Sequence, residues 1–180
     1  MRDGIIQQAA RLFQKGFVVL DLETTGLARD PKVEIIEVAA IDHEGKELIN
    51  TLVKPERRIP YEASRVNGIY DKDVVNALPF LQLYPQIAEL LAGKTVITYN
   101  VDFDRPVLNR VCRRVEQPVI SAQWFCAMLA YSAYRNYTGF IKLTTACKYE
   151  RIAVADAHRA IGDCKLTLAL IQTMARAELT

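Results

Sequence analysis

The sequence predicts an α/β protein in which helices sandwich a mixed sheet. Three observations carry this. Phe17-Val18-Val19-Leu20 runs into Asp21-Leu22-Glu23 between Gly16 and Gly26, the pattern of a strand buried on both faces. Two β-branched runs, Val33 to Ile41 and Lys46 to Val53, flank the turn Asp42-His43-Glu44-Gly45 and predict, with the first strand, an antiparallel three-stranded meander. Helical periodicity dominates the chain beyond the meander, and strands first with helices mostly later imply the sandwich.

At the N-terminus, Ile5, Ile6, Ala9, Leu12 and Phe13 recur at helical spacing in an opening helix that lacks the apolar core and cleavage site of a signal peptide. His43 falls at the meander turn and reads as a solvated loop residue. Pro55 to Pro60 is a basic, proline-punctuated connection. In Ser64-Arg65-Val66-Asn67-Gly68-Ile69, Gly68 stands where a loop could bring its backbone close to a ligand. Asp71 or Asp73 can cap a short helix, and Leu81 to Leu91 forms the next, with Pro79 near its start. Thr95 to Tyr99 is a further strand. Asn100 to Asp104 leads from it into a helix, and Pro106, tolerable only in a first turn, places Asp104 at the helix start. Arg110, Arg113 and Arg114 then decorate that helix, as a solvated face or a phosphate-facing patch. Ser121 to Ala133, Leu143 to Lys148 and a last segment from Asp156 to about Ala175 read as further helices.

Composition narrows the class. At 180 residues, 51% hydrophobic and 24% charged, the chain suits one soluble globular domain. A net charge of +2 gives no overall basic field, so any polyanion site must be built locally. Cys112, Cys126, Cys147 and Cys164 show no Cys-x-x-Cys spacing and read as reduced, core-filling thiols of a cytoplasmic protein. No run is long enough to span a membrane.

The chemistry concentrates in acids. Asp21 and Glu23 lie two apart on a strand and so project from one face. Two unpaired buried carboxylates raise each other's pKa, and a shared proton or a bound cation resolves the conflict; a strand end whose acids reach solvent gives the same pattern. Asp104 at a helix start and Asp163 on the last helix could join them. His158 precedes Asp163 by five residues, about 140° around a regular helix. It could face the same site only from a frayed first turn, and beside Asp156 it could equally cap the helix or decorate the surface.

Three segments together resemble the exonuclease motifs of the DEDDh subgroup of DnaQ-like 3′–5′ exonucleases. They are Leu20-Asp21-Leu22-Glu23-Thr24-Thr25-Gly26-Leu27, Tyr99-Asn100-Val101-Asp102-Phe103-Asp104 and His158-Arg159-Ala160-Ile161-Gly162-Asp163. Val66-Asn67-Gly68-Ile69 is similar to the short loop that this family keeps between its first two motifs. The resemblance implies a ribonuclease H-like fold with a central five-stranded mixed sheet. It implies one exonuclease domain over residues 1–180, with an N-terminal helix (1–15) and a catalytic core (16–176). By the same resemblance Asp21, Glu23, Asp104 and Asp163 are the metal-binding acids and His158 is the general base. Asp104 is chosen over Asp102 because the family ligand follows the Phe. Leu22, Thr24, Thr25, Gly68, Ile69, Asn100 and Phe103 would border the terminal nucleotide, with Ile69 touching its base. Tyr99 and Asn67 depart from the pattern, since the family often has histidine at both positions.

Oxygen donors favour Mg²⁺ or Mn²⁺. Two such ions would serve to activate water and to stabilise the leaving 3′ oxygen, and an imidazole titrating near pH 6.5 can take the water's proton. The resemblance to the polymerase III epsilon group implies removal of nucleoside 5′-monophosphates from a single-stranded or frayed 3′ end of DNA, in proofreading or repair, with a possible DNA polymerase partner. Two rivals are a 3′–5′ exoribonuclease trimming RNA ends and a non-catalytic nucleic-acid- or polymerase-binding module. The complete set of four acids and His158 opposes the latter.

Overall fold

The computed structural model describes residues 2–154 and 159–178. Helix α1 (Arg2–Lys15) precedes strands β1 (Val18–Thr24), β2 (Ile35–Asp42) and β3 (Glu47–Lys54). Short helices α2 (Tyr61–Asn67) and α3 (Asp71–Val74) come next, then the two-residue strand β4 (Leu78–Pro79) and helix α4 (Phe80–Leu91). The remainder is β5 (Thr95–Thr98), α5 (Val101–Arg114), β6 (Gln123–Cys126), α6 (Ala127–Arg135), α7 (Leu143–Tyr149) and α8 (Ala160–Arg176).

The sheet order is β4-β3-β2-β1-β5-β6. The meander is antiparallel as expected, while β5 joins β1 and β6 joins β5 in parallel. This is a mixed α/β sheet of the ribonuclease H-like kind, its five main strands extended at one edge by β4, parallel to β3. β2 is apolar along nearly its whole length because it is buried on both faces. Alternation along β1 divides the core. Val19, with Ala39, Ile41 and Ile97, packs under α1, α6, α7 and α8. Val18, Leu20 and Leu22 face the opposite layer with α4 and α5.

Several local expectations change. Within Ser121 to Ala133 the chain first adds β6, a strand of four residues, and turns helical only at Ala127. Tyr61 to Asn67 is a helix, and Gly68 is its left-handed C-cap (φ 72°), donating to the Ser64 carbonyl. Asp73 lies at the third position of α3 and accepts the Tyr70 N–H, while Asp71 accepts that of Ile59. α5 starts at Val101, so Pro106 stands in its second turn, past the first three residues. His43 lies in the turn but is only partly solvated, half-buried against Phe17 with ring centroids 5.9 Å apart. All four cysteines are free thiols. Among the described residues no helix is long and apolar enough to cross a membrane.

Candidate active site

The site gathers where β1 ends. Asp21 and Glu23 project from one face of β1, the side on which α8 packs. A register shift between Glu23 and Thr24 breaks the ladder to β2 directly after the second acid. Such an irregularity re-aims the chain, as bulges beside active sites do. Asp163, in the first turn of α8, meets this pair: single carboxylate oxygens of Asp21, Glu23 and Asp163 all lie within 4.8 Å of one another. Asp104 comes from α5, which starts just beyond β5, the parallel neighbour of β1. It is only 4% exposed.

The electrostatics are those of crowded, half-buried like charges. Burial, then Asp104, Asp163, Glu23 and Glu37, push the Asp21 carboxyl well above its ordinary range. Burial and the same kind of crowding raise Glu23 from 4.5 to about 8, against a lowering by Arg159. Burial raises Asp104 to about 7, although the Thr98 side chain and the backbone of Asp104 and Leu22 oppose the rise. A cluster so reluctant to ionise fits a divalent cation, whose charge would favour the ionised forms. The donors are hard carboxylate oxygens. The Cys164 thiol lies beneath them but donates to the Ala39 carbonyl at 3.4 Å, and burial and the acids push its pKa up, so it offers no thiolate.

A groove of about 420 Å³ opens beside the acids, lined by Leu22, Glu23, Thr24, Thr25, Gly26, Leu27, Val66, Asn67 and Phe103, among others. Thr24 Oγ1 donates to the Gly26 carbonyl at 2.7 Å, and Thr25 Oγ1 accepts the Glu34 N–H at 2.9 Å, which holds the turn after β1. Of the expected substrate-facing residues, Leu22, Thr24, Thr25 and Phe103 line this groove. Asn100 is the N-cap of α5 and its carbonyl accepts the Phe103 N–H. Gly68 is exposed outside the groove. Ile69, expected to touch the base, is 2% exposed, and its side chain packs with Ile36, Ile59 and Val74 in a small core of its own. Val66 and Asn67 form the groove wall in its place. His158 lies outside the described residues.

The two departures from the motif pattern have structural partners. The buried Tyr99 hydroxyl donates to the Ile141 carbonyl at 2.7 Å. Asn67 Nδ2 donates to the Thr24 carbonyl at 3.4 Å while its Oδ1 accepts the Ile69 N–H at 3.0 Å, tying the loop after α2 to the end of β1. Asp102 is exposed on α5. Glu37 has a place here that the sequence did not disclose. It sits opposite Glu23 in the β1–β2 ladder, 1% exposed, and takes the Arg159 guanidinium. Its one signal in the sequence was a lone acid inside the apolar run Ile35-Ile36-Glu37-Val38-Ala39.

A ribonuclease H-like sheet with an acid cluster at the end of its first strand defines a nuclease. Residues 18–171 match the family model described as Exonuclease, and the chain belongs to this family of DnaQ-like exonucleases. It is 32% identical to an uncharacterised exonuclease of Escherichia phage 186, over 96% of this chain and 94% of that protein. It is 29% identical to the DNA polymerase III subunit epsilon of Treponema pallidum, over 88% of this chain and 75% of the relative. Among solved structures it resembles Exonuclease X in complex with 5′-overhanging duplex DNA (TM-score 0.68, 26% identity, 91% and 94% covered). The E. coli Exonuclease I complex with a dT13 oligonucleotide shares the fold (TM-score 0.76, 18% identity, 91% and 41% covered).

Proposed function

We propose that the chain is a 3′–5′ exonuclease of the DEDDh type that removes nucleoside 5′-monophosphates from a single-stranded or frayed 3′ end of DNA. The observation that carries this reading is the convergence of Asp21, Glu23 and Asp163 within 4.8 Å, beside buried Asp104 and next to an apolar groove. Exonuclease X, seen with overhanging duplex DNA, and Exonuclease I, seen with a dT13 strand, support DNA as the substrate class. The epsilon relative supports proofreading or repair, with a DNA polymerase as a partner. On this reading residues 1–180 act as one cytoplasmic exonuclease domain, α1 lying against the core 16–176.

The four acids would hold two Mg²⁺ or Mn²⁺ ions. Bound there, the ions would supply the charge that makes water nucleophilic and stabilises the departing 3′ oxygen. The chain's own residues do the rest. Leu22 and Phe103 offer apolar walls to the terminal nucleotide, and Thr24 and Thr25 present the main chain of a fixed turn to its sugar. Gly68, exposed and without a side chain, leaves the neighbouring backbone open. His158 takes the proton of the attacking water, a task suited to an imidazole near neutral pH.

The test is digestion of matched 3′-labelled DNA and RNA oligonucleotides with Mg²⁺, with Mn²⁺ and with chelator. Mononucleotide release from DNA, stopped by chelator and restored by either ion, is the expected result. Release that persists in chelator would sink the metal assignment, and faster release from RNA would replace the substrate. His158→Ala should lower turnover about 10²–10⁴-fold while leaving Mn²⁺ affinity intact; an affinity loss like that of Asp163→Ala would make His158 a ligand.

A further inference from the structure

We propose that Glu37 and Arg159 are a positioning pair that seats the first turn of α8, and with it Asp163, against the acids of β1. The inference rests on the metal-dependent nuclease reading of the same site.

A helix leaves its first four N–H groups without intrahelical partners, and a side chain at the N-cap usually takes one of them. The N-cap of α8 is Arg159, a donor, and it makes no side-chain capping bond. The acceptor comes from the sheet face on which α8 packs, where Ala160 N donates to Glu37 Oε2 at 2.9 Å. The same carboxylate receives Arg159 Nε at 3.0 and 3.2 Å and Nη2 at 2.5 Å. Among the described residues, every hydrogen bond to the Glu37 side chain therefore comes from two consecutive residues at the start of α8. The fork of guanidinium on carboxylate fixes orientation as well as distance.

Elsewhere α8 is held mainly by packing, with Ala160, Cys164, Leu168 and Ile171 buried in the core under the sheet, and by the weak Cys164 S–H bonds to the Val19 and Ala39 carbonyls. Such contacts resist separation more than they resist small slides or rotations. The Glu37 bonds add a charged, forked and far stronger directional restraint. Asp163 stands one turn on, its N–H bonded to the Arg159 carbonyl at 3.0 Å, so whatever fixes Arg159 and Ala160 fixes Asp163 as well. Glu37 in turn cannot drift, because it is built into β2 opposite Glu23. The pair thus ties the helix that carries Asp163 to β2, the ladder partner of the strand that carries Asp21 and Glu23.

The test compares the wild-type chain with Arg159→Ala, Arg159→Lys, Glu37→Gln and the Glu37→Gln/Arg159→Ala double variant. Mn²⁺ binding is followed by electron paramagnetic resonance, and kcat and KM are measured on a 3′-labelled single-stranded DNA. All assays are run where circular dichroism shows each variant folded. Arg159→Ala and Glu37→Gln should each lower kcat about 10–100-fold, with a parallel loss of Mn²⁺ affinity, as loss of an outer partner of a metal site does. KM should stay within about twofold, Arg159→Lys should recover part of the loss, and the double variant should be little worse than either single one. A rise in KM with kcat and Mn²⁺ affinity unchanged would make Arg159 a substrate contact and overturn the proposal. A lower melting temperature with kcat and Mn²⁺ affinity unchanged would reduce the pair to stability alone, and Arg159→Lys reads that outcome if the alanine variant fails to fold. A wild-type chain that neither binds Mn²⁺ nor releases nucleotides would instead overturn the nuclease reading, and the pair with it.

Discussion

Asp102 and Asp104 stand two residues apart on α5, about 200° around the helix, and that angle separates their fates. Asp102 is exposed, whereas Asp104 is buried, with Thr98, Leu22 and Asp163 all acting on its carboxyl. Asp104→Ala should therefore lower metal-dependent nucleotide release by more than the roughly 10–100-fold typical of an outer partner. Asp102→Ala should stay within about twofold of the parent. The reverse ranking in folded variants, assayed on one labelled oligonucleotide, would move the metal-binding role to Asp102. The Asp21–Glu23 pair was legible in the sequence because a strand's period of two is visible without a partner. The choice of Asp104 needed the family resemblance, because two acids two residues apart in sequence do not disclose which one is buried. Glu37 was illegible because its meaning lies in Arg159, 122 residues away. Tyr99 and Asn67 read only as departures, since the carbonyls they serve, at Ile141 and Thr24, carry no side-chain signal. Tyr99→Phe should cost about 0.5–1.5 kcal/mol by losing one buried hydrogen bond, a drop of a few degrees in a thermal melt.

At the scale of elements, Arg113 of α5 is exposed, as a solvated face would be, whereas Arg110 and Arg114 have a use that is neither a solvated face nor a phosphate patch. Arg110 donates to the carbonyls of Ala28 (2.6 Å) and Asp30 (2.9 Å), and Arg114 to those of Val33 (2.9 Å) and Pro31 (2.8 Å). Together they fasten the loop that leaves β1 through Gly26 and Leu27, two residues of the groove wall. Arg114→Ala should destabilise the protein by about 1–2 kcal/mol, the scale for hydrogen bonds to a charged group on a half-exposed loop. Trypsin should then cut faster after Arg29 and Lys32, and KM should rise with kcat nearly unchanged. Wild-type resistance to trypsin would show that the loop holds without this arginine. The long elements were legible where apolar spacing was sustained, as in α1, α4 and the meander. β6 was not, because four residues, Gln123 to Cys126, are too few to display a period beside the helix after them. α2 was hidden for the same reason: seven residues after Pro60 bury only Ser64 and Asn67.

At the scale of the molecule, the acid cluster makes stability depend on pH in a direction opposite to that of most carboxylates. A salt-bridged acid has a lowered pKa and stabilises a fold as pH rises. Here burial and mutual repulsion hold Glu23 at about 8 against an ordinary 4.5, Asp104 at about 7 against 3.8, and Asp21 well above 3.8. Between roughly pH 4 and pH 8 the folded, metal-free chain therefore binds more protons at these groups than the unfolded chain does. Stability rises with pH only where the unfolded state binds more protons. The cluster's contribution is thus fully present below about pH 4 and is lost as pH climbs through the folded values. Divalent cations held there would reverse this, because they would bind the ionised acids of the folded state and displace the protons. An ion at 100 times its dissociation constant adds about 2.7 kcal/mol. Thermal melts in chelator should accordingly show a melting temperature that falls from pH 5 to pH 8, and the fall should shrink or reverse in saturating Mn²⁺. Calorimetric titration of Mn²⁺ at pH 7 in buffers of different ionisation enthalpy should register proton release. Glu23→Gln, which removes the charge but keeps the shape, should flatten the decline in chelator and weaken the gain from Mn²⁺. A metal-free chain more stable at pH 8 than at pH 5, with no response to Glu23→Gln, would show that these carboxylates do not share one buried, mutually repelling site.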